Sequence, residues 1–111
     1  MAFFPFMIQM QDKLCVIGGG GKVAYRKVSM MLSFGARVTV IAPTICDELQ
    51  KIESKQGALL LVQRPFEDGD IEGADVVIMA TNDSEVNSHI AAICKDKRIL
   101  VNVVDLSLIH I

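Results

Sequence analysis

The sequence has no excess of positive charge: 11 Lys and Arg stand against 13 Asp and Glu, a formal net charge of −2. A chain so balanced presents no broad basic surface, so neither nucleic acid nor a membrane is expected as a partner. No apolar run reaches the roughly 20 residues that a bilayer-spanning helix needs. Residues 1–10 are apolar, but they lack a basic leader and a small-residue cleavage site, and Pro5 interrupts them. They read as a short extra strand lying against the domain and not as a signal peptide. Cysteine is sparse and odd in number, and Cys15, Cys46 and Cys94 lie too far apart to be metal ligands as a set. Each falls in an apolar stretch, which predicts reduced packing residues in a cytoplasmic protein. His89 and His110 have no Cys, Asp or Glu at ligand spacing, so no metal site is expected. Repeats, low-complexity tracts and linkers are also missing.

What is present is 51% hydrophobic and 22% charged in 111 residues, enough for one domain with one core and too little for two. Apolar runs alternate with helical periodicity. Leu14 to Ile17 is a short, continuously apolar run ending in glycines, as a buried strand should be. Ala24, Val28, Met31 and Leu32 then recur at helical spacing between Val23 and Phe34, with Gly35 as a stop signal. Arg37 to Ile41 is a β-branched second strand closed by Pro43. Thr44 suits an N-cap for a helix through about Lys55, and residues 58–62 make a third strand. A polar loop, residues 64–73, precedes a fourth strand over 74–80. Asp83 or Ser84 caps a helix whose Val86, Ile90, Ile93 and Cys94 share one face, and residues 99–104 form the fifth strand. Strands joined by helices predict an open α/β parallel sheet of order 3-2-1-4-5 with helices on both faces. Its ligand crevice lies beyond the carboxyl ends of strands 1 and 4.

The loop Gly18-Gly-Gly-Gly-Lys-Val-Ala24 falls at that place, between strand 1 and the first helix. It contains G-x-G-x-x-A as Gly19, Gly21 and Ala24. Gly19 permits the tight turn, Gly21 lets a pyrophosphate approach the backbone, and Ala24 lets the helix pack closely on the sheet. The helix N-terminus offers unpaired N–H groups to phosphates. A Walker A loop is excluded, because Lys22 is followed by Val23 and not by Ser or Thr. The pattern is that of a Rossmann-type dinucleotide-binding domain, and Gly19, Gly20, Gly21, Lys22 and Val23 are its candidate phosphate-binding residues. One element of the usual pattern is lacking. Strand 2 ends Ile41-Ala-Pro-Thr44, without the Asp or Glu that normally holds the adenosine ribose. Pro43 and Thr44 are expected to serve there, and Arg37 stands at the wrong end of the strand to replace them. Thr81 and Asn82, after strand 4, are placed where a nicotinamide or ribose would rest; capping of the next helix explains Thr81, Asn82 and Asp83 equally well. Asn102 is read as satisfying backbone groups near the crevice, and Arg26 and Lys27 as a solvated helix face.

Three stretches taken together resemble a known family: residues 19–27 with 34–43, Ala80-Thr-Asn-Asp-Ser-Glu-Val-Asn87, and Val101-Asn-Val-Val-Asp105. In this order and spacing they are similar to the N-terminal domain of siroheme synthase and to the stand-alone precorrin-2 dehydrogenases, some of which are also sirohydrochlorin ferrochelatases. The likeness runs from about Phe4 to Asp105. It implies NAD-dependent oxidation of precorrin-2, a tetrapyrrole, to sirohydrochlorin, with Fe²⁺ inserted by bifunctional members. It places the family's essential aspartate at Asp105, where a carboxylate after strand 5 could accept a substrate proton. The domain is expected to span 1–105, followed by a tail, 106–111, that does not match the family's continuation. The family's second region, which makes the homodimer and part of the tetrapyrrole pocket, is not found, so the chain reads as a truncated or isolated cofactor-binding half. The exposed apolar tail suggests self-association. Two other classes stay open: a nucleotide-sensing regulatory module, and a domain whose role is assembly alone.

Overall fold

The computed structural model describes residues 10–53 and 57–104. The expected N-terminal strand, Asp105 and the tail therefore lie outside the described residues. Five strands, β1 (Leu14–Gly18), β2 (Arg37–Ala42), β3 (Leu59–Gln63), β4 (Val76–Met79) and β5 (Leu100–Val103), form one sheet in the order β3-β2-β1-β4-β5. Every pairing is parallel. Three helices connect them: α1 (Lys22–Ser33), α2 (Asp47–Glu53) and α3 (Ser84–Asp96). This is the expected Rossmann-type architecture.

Strand periodicity divides the core into two layers. Cys15 and Ile17 of β1, Val38 and Val40 of β2 and Ile78 of β4 face Ala24, Val28 and Met31 of α1 and Leu49 of α2. The alternate residues Val16, Ile41, Val77 and Met79 face Ile90 and Cys94 of α3. β4 is buried on both faces, and four of the five β1 residues are buried, which is why both read as unbroken apolar runs. Each fully buried aliphatic side chain contributes about 1.5–3 kcal/mol of transfer free energy. Cys15 and Cys94 are buried free thiols, and burial pushes the Cys15 thiol up to about 12, far from the reactive thiolate.

Three boundaries differ from the sequence expectation. α2 begins at Asp47 and not just after Thr44, because the Cys46 N–H donates to Gly20 O at 2.8 Å and the Thr44 carbonyl abuts Gly20. Residues 44–46 thus serve the glycine loop before the helix starts. β4 begins two residues late, since the Ala74 N–H closes a turn onto Ile71 O and Gly73 holds a φ of +77°. The polar loop between β3 and β4 holds a single turn of 3-10 helix (Asp68–Ile71), where no regular element was expected. Its buried Ile71 plugs the α3 layer, and the Glu67 and Asp70 side chains cap each other's backbone.

Arg64 fastens this turn with two hydrogen bonds to Asp70, at 2.8 and 2.6 Å. The Arg64 guanidinium holds the Asp70 carboxyl below the usual carboxylate range. A depressed folded pKa means stability that is present above the ordinary carboxylate pKa and lost as pH falls through the lowered one. Urea titrations at descending pH are expected to show this loss in the wild-type chain and a reduced one in Asp70→Asn. Equal pH dependence of both proteins would refute the assignment.

Candidate dinucleotide site

β1 delivers the chain into the glycine loop at the carboxyl edge of the sheet. Gly18, Gly19 and Gly20 are buried, whereas Gly21 and Lys22 are exposed. Gly19 has a φ of +119°, and a Cβ there would stand 2.5 Å from the Ala80 carbonyl oxygen. Its N–H donates to Ile41 O at 3.1 Å, so the turn is sewn to β2 on one side and pressed on the end of β4 on the other. Gly20, the variable position of the motif, is as constrained as its neighbour: a Cβ would overlap the Thr44 carbonyl. Sequence reasoning gave that position no packing role, because the clash comes from a residue on another strand's exit. A Cβ at Gly21 would meet nothing within 4 Å. It faces open space, as a backbone reserved for a ligand's approach should. Ala24 is fully buried where α1 crosses the sheet.

These elements wall one crevice of about 890 Å³. All nine residues put forward as cofactor-binding line it: Gly19, Gly20, Gly21, Lys22 and Val23 in the loop, Pro43 and Thr44 after β2, Thr81 and Asn82 after β4. Phe66, from the loop that Arg64 fastens, adds an aromatic wall that the sequence did not announce. Cys46 packs against the core as expected and also lines the crevice. Asp105 is outside the described residues. The described chain ends at Val104, whose N–H donates to Met79 O at 2.9 Å at the same edge of the sheet.

Two helix N-termini meet at the crevice, and they differ. The Asp83 carboxylate caps α3, accepting from the Glu85 and Val86 N–H groups at 3.0 and 3.2 Å. Of the two roles the sequence left open for Asp83, capping is the one the structure shows. α1 starts at Gly21 with no side-chain cap and no acidic residue in its first turn. Its first-turn N–H groups have no intrahelical acceptor. Lys22 adds positive charge at a helix end whose dipole is already positive. That end is therefore ready for an anion, and the α3 end is closed.

Other sequence readings resolve as follows. Asn87, quoted only as part of a motif, is buried and bonds to Thr81 through its side chain. Asn102 Oδ1 is buried and accepts no hydrogen bond from the described residues, so its acceptor half does not serve the backbone there. The register pairs it with Ile78 on the α1 side of the sheet, where the neighbours are apolar. His89 has an acidic neighbour after all, with Nε2 3.0 Å from Asp68 Oδ1, a pairing made by tertiary contact and invisible to local spacing. Among the described residues no group of three or more His, Cys, Asp or Glu side chains is placed to hold a metal ion. No helix among them is long and apolar enough to cross a membrane.

A protein-family model described as "Putative NAD(P)-binding" matches residues 6–108. The chain belongs to this NAD(P)-binding family. Its curated relatives include the siroheme synthase of Thioalkalivibrio sulfidiphilus, 42% identical over 105 residues, and that of Nitrosospira multiformis, 44% identical over 108. The alignments cover 95% of this chain but 21% and 23% of those proteins, so the chain spans about a fifth of their length. Among solved structures, SirC, a precorrin-2 dehydrogenase, superposes with a TM-score of 0.74 at 29% identity, over 90% of this chain and 48% of SirC. The apo D-lactate dehydrogenase of Escherichia coli matches with a TM-score of 0.65 at 15% identity, which shows the shared fold. The resemblance read from the three motifs is upheld, and this member of the NAD(P)-binding family has siroheme synthases as relatives.

Proposed function

We propose that this chain is the NAD-binding portion of a precorrin-2 dehydrogenase that forms sirohydrochlorin on the way to siroheme. The observation that carries the reading is the open N-terminus of α1, facing Gly21 in a crevice that gathers the nine expected residues. The relatives supply the reaction: the matched proteins are siroheme synthases and a precorrin-2 dehydrogenase. The α1 N–H groups and Lys22 would hold a pyrophosphate. Pro43 and Thr44 would bound the adenosine ribose, with no carboxylate at that end of β2. When bound, NAD⁺ supplies the hydride acceptor. Asp105 would receive the proton that precorrin-2 gives up. A homodimer in the full-length enzyme and Fe²⁺ as a substrate of bifunctional members rest on the family resemblance alone.

The test is a calorimetric titration of the purified chain with NAD⁺ and, separately, NADP⁺. Saturable NAD⁺ binding is expected. A chain that binds neither nucleotide overturns the cofactor reading.

A further inference from the structure

Thr81 lines the crevice, yet its polar groups are already engaged. Its hydroxyl lies 2.5 Å from Asn87 Oδ1 and accepts the Asp83 N–H at 3.2 Å. Its carbonyl accepts Asn87 Nδ2 at 3.1 Å, and its N–H donates to Asn87 Oδ1 at a long 3.4 Å. Asn87 itself is 4% exposed and is the one buried polar residue among the described core. A buried amide is costly unless both its ends are bonded, and here both ends bond to a single residue six positions earlier. Capping of α3 is done separately by Asp83, so the Asn87 side chain is committed to Thr81.

The consequence is a division of labour at the exit of β4. Thr81 and Asp83 tie the turn down, and Asn82 between them is exposed on the crevice wall. With a pyrophosphate at the α1 end and the adenosine ribose at the end of β2, the β4 side of the crevice is left for the second nucleoside. We infer that Asn87 is a positioning residue, acting through Thr81 to hold the 80–83 turn against the nicotinamide half of a bound dinucleotide. This rests on the cofactor reading above and names a residue that acts within it.

The experiment compares binding of NAD⁺ and of ADP, which carries no nicotinamide half, to the wild-type chain, Asn87→Leu and Asn87→Asp. Asn87→Leu is expected to lower NAD⁺ affinity about tenfold, the loss that a misplaced contact produces, and to leave ADP affinity within about twofold. Asn87→Asp keeps the side-chain volume. It is expected to lose NAD⁺ affinity at neutral pH and regain it on acidification, as protonation restores an O–H donor toward the Thr81 carbonyl. Recovery of NAD⁺ affinity with ADP affinity steady across the same pH range is a signature a merely structural role would not give, and it serves if Asn87→Leu fails to fold. NAD⁺ and ADP affinities that fall together, or an NAD⁺ affinity that neither substitution changes, would overturn the inference while leaving the cofactor reading in place. A wild-type chain that binds neither ligand overturns the cofactor reading and this inference with it.

Discussion

Gly20→Ala is expected to destabilise the domain by about 2–3 kcal/mol, the range of an overpacked core position, whereas Gly21→Ala costs the fold far less and weakens cofactor binding. The two glycines are adjacent in one loop, and their surroundings are opposite. A methyl at Gly20 would overlap the Thr44 carbonyl and stand 3.0 Å from Ile45 Cα, both backbone atoms that cannot swing away. Those same residues are held in place because the Cys46 N–H donates to Gly20 O. Relief would require moving the whole β2 exit. A methyl at Gly21 meets no protein atom within 4 Å and suits the local backbone, with φ near −94° at the α1 N-cap. Its cost in stability is about 0.5–1 kcal/mol, because glycine is a better N-cap than alanine. It does occupy the space through which a pyrophosphate would reach the first-turn N–H groups, so NAD⁺ affinity is expected to fall at least about tenfold. Urea denaturation and calorimetric titration of both variants separate the two effects. A stable Gly20→Ala, or a Gly21→Ala that binds NAD⁺ as the wild type does, would contradict the packing described here.

Replacement of the aspartate matching Asp105 in a full-length siroheme synthase is expected to lower turnover by about two to four orders of magnitude, the usual worth of a positioned general base. Cofactor affinity should stay within about twofold, because all nine candidate cofactor residues lie on other parts of the chain. Asparagine is the informative substitution: it keeps size and hydrogen-bonding capacity and loses only the ability to take a proton. Steady-state formation of sirohydrochlorin gives kcat, and titration with NAD⁺ gives affinity. A kcat that is unchanged in the asparagine variant would remove Asp105 from proton transfer. A fall in NAD⁺ affinity equal to the fall in kcat would make it a binding residue instead.

Much of this was legible in the sequence, for a reason specific to parallel α/β sheets. β1 and β4 are buried on both faces, so they appear as short unbroken apolar runs, and the helices between them carry a clear three-to-four spacing. The glycine loop was legible because a backbone that must turn at a φ of +119°, as at Gly19, admits little else. The lack of an acid after Ile41 was equally plain. The start of α2 was not, since Thr44 has every local property of an N-cap and loses that role to a contact with Gly20. The side-chain partners of Asn87 and His89 were hidden in the same way. Each looked like an ordinary helix residue until Thr81 and Asp68 were brought beside it.

The sequence by itself determined the strand order, the two-sided burial of the sheet and the position of the glycine loop at its carboxyl edge. All three follow from local periodicity, turn chemistry and the handedness of parallel crossovers. Only the tertiary structure decided which glycine is packed against the protein and which faces open space, which of two helix N-termini is free, and which polar residue holds the β4 turn. Those depend on contacts between segments distant in sequence: Gly20 with Thr44, Gly19 with Ala80, Phe66 with the crevice. A clash or a hydrogen bond across such a distance leaves no periodic trace in the chain.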